Sequence, residues 1–251
     1  MKKQHPLGLV SISFRTHSPE EILAAMKDAG LSHIEWGSDV HAKKDDLSAL
    51  TALRALTASY GVTVCSYGTY FYLGETPISE LASYIAAAKA LGTDILRLWC
   101  GKKSGASMTE EEKNALLSDC RTAAKMAEEA GVTLCMECHK NTLTEQVADS
   151  LALMRAVASP NFQMYYQPHQ WKSIEENLEM AKALAPFTKV VHVFQWKGSD
   201  RFPLIEGKDE WQGYLSHFEG QPLLLEFMPN DRIESLQGEA DALKTIIGDM
   251  R

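Results

Sequence analysis

Short apolar runs rich in β-branched and aromatic residues alternate along the chain with longer stretches whose apolar positions recur at helical spacing. The runs at 7–14, 33–37, 62–67, 94–99, 132–137, 162–167, 189–195 and 222–227 predict eight strands. The stretches 19–29, 47–60, 78–91, 109–130, 144–158, 173–185 and 233–248 predict helices, and 208–219 carries a weaker helical pattern. Start and stop signals agree. Ser18-Pro19-Glu20-Glu21 and Thr109-Glu110-Glu111-Glu112 read as N-caps with acidic first turns. Gly30, Gly61, Gly92 and Gly131 each follow a helix and precede a strand, as C-terminal caps do.

The first three of those glycines are about 31 residues apart and the fourth lies further on, which gives a weak internal repeat. A parallel strand pair needs a helical crossover of about that length. Eight strand–helix units in 251 residues fit a single (β/α)8 TIM barrel over 1–251, in the α/β class. A doubly wound open sheet is the rival. It needs no eighth strand and usually opens with a glycine-rich phosphate loop, whereas Arg15-Thr16-His17-Ser18 follows the first run here.

Composition narrows the function classes. The chain carries 25 basic and 33 acidic residues, a net charge of −8, which disfavours a nucleic-acid partner. No run approaches the ~20 apolar residues of a membrane span, and the N-terminal apolar run is too short for a signal peptide, so a cytoplasmic location and no membrane partner are expected. Five cysteines include the pair Cys135-x-x-Cys138, but its spacer is strand-like and no second pair exists. Residues three apart on a strand point to opposite faces, so reduced structural thiols are expected.

In a TIM barrel the working side chains come from the C-terminal ends of the strands. Those ends carry Glu35 with His41 beyond it, Tyr70, Arg97 and Trp99, Glu137 with His139, Gln167 with His169, His192, and Glu226. Singly, each has a plain structural reading: Glu35 or Glu226 paired with Arg97 or a lysine, His192 a core histidine, Trp171 packing. Together, Glu137, Gln167, His192 and Glu226 fall at one level of four consecutive strands. Two carboxylates, an imidazole and an amide oxygen suit one divalent cation, Mn²⁺, Mg²⁺, Co²⁺ or Zn²⁺.

These residues resemble the xylose-isomerase-like TIM barrels of the sugar phosphate isomerase/epimerase superfamily. The likeness spans nearly the whole chain. It is carried by IEWGSDVHA at 34–42, SYGTYFYLG at 66–74, ILRLWCG at 95–101, the Glu137-x-His139 pair and VVHVFQW at 190–196. The resemblance implies that Glu137, His192 and Glu226 are metal ligands and that the two glutamates also move protons. It implies further a small carbohydrate substrate, touched by His41, Tyr70, Arg97, Trp99, His139 and His169. One departure stands out: many members carry aspartate where Gln167 stands. A neutral amide removes a charge from the site, so weaker metal binding is expected.

The leading expectation is a metal-assisted isomerase or epimerase of a small sugar, ketose or polyol derivative acting through an enediolate, with a lyase of the same chemistry beside it. The alternatives are a metal-free sugar-binding barrel and, less favoured, an endonuclease IV-like DNA-repair enzyme. Substrate identity and oligomeric state, a homo-oligomer included, stay open at this level.

Overall fold

The computed structural model describes residues 4–250. Its strands are β1 (Leu7–Val10), β2 (His33–Gly37), β3 (Thr63–Leu73), β4 (Ile95–Cys100), β5 (Thr133–Glu137), β6 (Phe162–Tyr166), β7 (Thr188–Val193), β8 (Trp196–Lys197), β9 (Asp200–Arg201) and β10 (Leu223–Leu225). Its helices are α1 (Pro19–Asp28), α2 (Leu47–Ser59), α3 (Leu81–Leu91), α4 (Glu110–Ala130), α5 (Val147–Val157), α6 (Ile174–Leu184), α7 (Lys208–Leu215) and α8 (Leu236–Gly248). Eight strands close into a parallel barrel in the order β1-β10-β7-β6-β5-β4-β3-β2, and the helices connect them. Closure pairs Leu7 with Leu223 and Leu9 with Leu225. The expected (β/α)8 barrel is therefore the fold.

Strict alternation along the strands builds two cores. Leu134, Met136 and Cys138 join the large cluster between sheet and helices, while Cys135 joins Val10, Ile12, Tyr165, Val190 and Leu224 inside the barrel. The two cysteines of the C-x-x-C pair thus lie on opposite faces of the barrel wall, and all five cysteines are free. The same alternation aims Glu137, Gln167, His192 and Glu226 inward, each one step beyond an outward apolar residue. Capping boxes at Ser18–Glu21 and Thr109–Glu112 start α1 and α4. Gly30, Gly61, Gly92 and Gly131 all take positive φ at the helix ends.

Several boundaries differ from the sequence pattern. The run 7–14 is strand only to Val10 and then a 3-10 turn, Ser11–Phe14. Here hydroxyls replace the ladder: Ser11 Oγ accepts from Gly37 N at 2.9 Å and Ser13 Oγ from Phe227 N at 2.8 Å. β3 continues to Leu73, with a register irregularity between Gly68 and Tyr72 against β4. The stretch 233–248 becomes α8 only from Leu236, after a 3-10 turn. The hairpin β8–β9 has no counterpart in the predicted elements, because two-residue strands carry no readable period. No helix among the described residues is long and apolar enough to cross a membrane.

Candidate active site

The inward side chains at the C-terminal ends of the strands form one buried cluster. Its base is an ion-pair network. Arg97 on β4 donates from Nε to Glu35 Oε1 at 3.1 Å and from Nη1 to Glu137 Oε2 at 2.6 Å. Glu35 Oε2 also accepts from Ser66 Oγ at 2.9 Å and from Tyr165 OH at 2.7 Å. Gly68 makes this possible, since a Cβ there would come within 2.4 Å of Glu35 Oε1.

Above that network Glu137, His192 and Glu226 each offer a ligand atom, and these atoms lie within 4.8 Å of one another. His192 Nδ1 faces only oxygens: Gln167 Oε1 at 3.2 Å, Glu226 Oε2 at 3.5 Å and Glu137 Oε1 at 4.0 Å. Gln167 donates from Nε2 to Cys138 O at 3.0 Å, which turns its amide oxygen toward the cluster. Three buried carboxylates thus share one guanidinium, and the space around Nδ1 is bounded by acceptors. That donor set fits a hard or borderline divalent cation. The residues that would hold it are Glu137, His192, Glu226 and Gln167.

The same imbalance sets the proton affinities. Burial would raise Glu35, but Arg97, His192 and the Tyr165 hydroxyl outweigh it and hold the carboxyl near 2. Burial opposes ionisation of Glu137 as well, and Arg97 with His192 again prevails, so its value is lowered. At Glu226 burial wins, with Glu137 adding repulsion, and its value is raised. Burial would lower His192, yet Glu226, Glu35 and Glu137 together raise it. The two glutamates of the candidate pair are pushed in opposite directions.

A cavity of about 180 Å³ opens over this cluster. Its lining includes Tyr70, Arg97, Trp99, Glu137, His139 and Glu226, so six of the side chains singled out from sequence meet there, and Gln167 joins them. Two others do not. His41 is turned away: its Nε2 lies 3.0 Å from His17 O and its ring packs on Trp36. His169 lines a neighbouring cavity of about 290 Å³, on the far side of Gln170, Phe194 and Trp196. Trp171 is 61% exposed and lies under Lys140 Nζ at 4.7 Å, so the packing expectation for it is corrected. Arg15 and Phe227 also line the main cavity and were missed. Arg15 directly follows the predicted run 7–14 and Phe227 ends the run 222–227, the signal that should have found them. Arg15 bonds Asp39 Oδ2 at 2.6 Å and Tyr70 OH at 2.7 Å, tying three strand ends together at the mouth.

His169 yields a stability prediction. Burial holds its imidazole at about 4, against an ordinary 6.5. The unfolded chain takes up this proton below about 6.5 and the fold resists it until about 4. This contribution is full above the higher value and is lost as pH falls to the lower, on the order of 3 kcal/mol. Urea midpoints measured across that range should drop for the natural protein and flatten in His169→Gln; parallel profiles would refute it.

Comparison with known proteins places the chain. Residues 23–246 match the family model described as xylose isomerase-like TIM barrel. A curated relative, 3-dehydroshikimate dehydratase from Bacillus anthracis, is 21% identical over 184 residues, covering 69% of this chain. The match spans 66% of that protein, just under two thirds. The structure of an L-ribulose 3-epimerase superposes with a TM-score of 0.74 at 18% identity, covering 98% of this chain and 97% of its own. A protein named IOLI, solved with a bound zinc atom, gives 0.76 at 14% identity, covering 100% and 99%.

Proposed function

The chain belongs to the xylose isomerase-like TIM barrel family, and on that footing we propose that it is a divalent-metal-assisted isomerase or epimerase of a small sugar, ketose or polyol derivative, working through an enediolate. One observation carries this reading: two carboxylates, an imidazole and an amide oxygen from four neighbouring strands converge at the floor of an open cavity. A divalent ion held by Glu137, His192, Glu226 and Gln167 would supply Lewis-acid polarisation of a substrate carbonyl and offset the surplus carboxylate charge.

The chain's own groups divide the remaining work. Glu226 is engaged in no side-chain hydrogen bond among the described residues, so its carboxylate is free to take the proton beside a carbonyl. Glu137 is gripped by Arg97 and stands three strands away around the ring, placed to return a proton from another side. His139 and Arg97 line the cavity as donors to substrate oxygens. Trp99 packs against Tyr70, Tyr72 and His139, an aromatic wall that keeps water from the reacting carbon.

A second reading is elimination of water after the same proton removal. The dehydratase among the curated relatives favours it. Incubating the metal-loaded protein with a panel of ketoses and polyol ketones in deuterated water separates the two. Deuterium on the carbon beside the carbonyl of a product that keeps all its oxygens supports isomerisation or epimerisation, and loss of water supports the lyase. A purified protein that neither carries nor binds a divalent ion favours the metal-free binding barrel instead.

Gln167→Asp is expected to tighten divalent-ion binding about tenfold or more, since a carboxylate adds charge to a hard cation's shell. Calorimetry showing no gain would remove Gln167 from the ligand set.

A further inference from the structure

We propose that Glu35 is a positioning residue for His192: once a cation takes the place of the Nδ1 proton that Gln167 Oε1 accepts, Glu35 holds the remaining ring proton on Nε2 and keeps Nδ1 aimed at the metal position. This rests on the metal reading given above and concerns a residue that reading leaves idle.

His192 is fully buried, and its Nδ1 faces the three oxygens of Gln167, Glu226 and Glu137. A nitrogen that ligates a cation carries no proton, so the ring proton must then sit on Nε2. That nitrogen is buried and has no hydrogen-bond partner. The carboxylate recorded opposite it is Glu35, whose Oε2 stands 3.7 Å away, just outside hydrogen-bond distance. Histidine ligands generally donate their second ring N–H to a carboxylate or carbonyl, which fixes both tautomer and ring orientation.

Glu35 itself is built not to move. Ser66, Tyr165 and the Arg97 guanidinium bind its two oxygens, and the missing Cβ of Gly68 leaves the carboxylate its place. Tyr165 also sets its ring edge against His192 at 4.9 Å between centroids, confining the imidazole plane. The ring therefore has an acceptor waiting on one side and the ligand set on the other. Arg97 links the two layers, because the guanidinium that anchors Glu35 also grips Glu137. Surplus carboxylate charge alone does not account for Glu35's place. Its Oε2 faces the ring nitrogen away from the ligand set, where it bears on which imidazole nitrogen is available.

The test uses Zn²⁺ as probe, with ¹⁵N-histidine-labelled protein and titration calorimetry. Long-range ¹H–¹⁵N spectra of the zinc-loaded natural protein should show His192 protonated on Nε2; a proton on Nδ1 overturns the inference without any variant. Glu35→Gln presents an amide whose N–H₂ can face the imidazole and favour the wrong tautomer. It should weaken Zn²⁺ binding about 10- to 100-fold. Tyr165→Phe removes a hydrogen bond to the same Glu35 oxygen but leaves the carboxylate, so its zinc affinity should stay within about threefold of natural. Equal weakening in both variants would assign Glu35 a merely structural role and overturn the inference. Unchanged affinity in Glu35→Gln does the same. A natural protein that takes up no zinc overturns the metal reading, and the inference falls with it.

Discussion

Glu226→Gln is expected to lower turnover about 10²-fold or more while leaving the fold intact, the usual scale for a positioned acid or base. Glutamine keeps the shape and one oxygen but takes no proton. The effect should be large at this residue because nothing else in the cavity duplicates it. The Glu226 carboxylate is buried, its proton affinity is raised by burial and by Glu137, and the ring nitrogen beside it is His192 Nδ1 at 3.5 Å. Glu137→Gln should also cost turnover, but it brings a second consequence: Arg97 loses a charged partner at 2.6 Å. Isotope distribution separates catalysis from binding. With the natural protein in deuterated water, label appears on the substrate carbon beside the carbonyl. In Glu226→Gln the rate of its appearance should fall with turnover. Unlabelled product together with near-normal turnover in both variants would refute the acid–base assignment.

Arg97→Met is expected to be the most damaging single change to stability, by about 3–5 kcal/mol, because it leaves two buried carboxylates without their cation. Arg97 is 1% exposed, and Glu35 and Glu137 are buried beside it. Methionine fills most of the volume, so the loss reports charge rather than a cavity. Chemical denaturation measures it, and for a chain of this size the thermal midpoint should fall by roughly 10 °C. The double variant Arg97→Met with Glu35→Gln should lose less than the two single losses added together, since each removes part of the other's penalty. Strict additivity would show that the network is not acting as a unit. A divalent ion added to Arg97→Met should recover part of the loss, through binding to the folded state alone.

The barrel was legible because its signals are local and repeated. Eight apolar runs, four positive-φ glycines and two capping boxes each act within one strand–helix unit, and each was found where its residues predicted. The site was legible where strand alternation reached it: Glu137, Gln167, His192 and Glu226 converge because each ends an apolar run. What escaped depends on loop geometry. His41 lies within the motif that resembles the family, yet its ring is drawn toward the backbone of His17, a contact no spacing encodes. His169 comes two residues after Gln167, and Asn177 of α6 holds its backbone N–H at 2.8 Å, directing it to the neighbouring cavity. Trp171 was expected to pack because tryptophan usually does, whereas the loop leaves it at the rim. Arg15 escaped because its partners Asp39 and Tyr70 sit on other strand ends.

The bond from Phe227 N–H to Ser13 Oγ spans 214 residues and stitches the last strand's exit to the first strand's. Phe227 is held in the left-handed region at φ 55°, a strained posture for a residue with a Cβ, and the residue before it is Glu226. The backbone at Glu226 is therefore pinned from both sides, by Val193 O on β7 through its own N–H and by Ser13 through the N–H of Phe227. The seam that closes the barrel and the aim of the fourth carboxylate are thereby coupled, so a change that loosens β1 against β10 reaches Glu226 without touching the cavity.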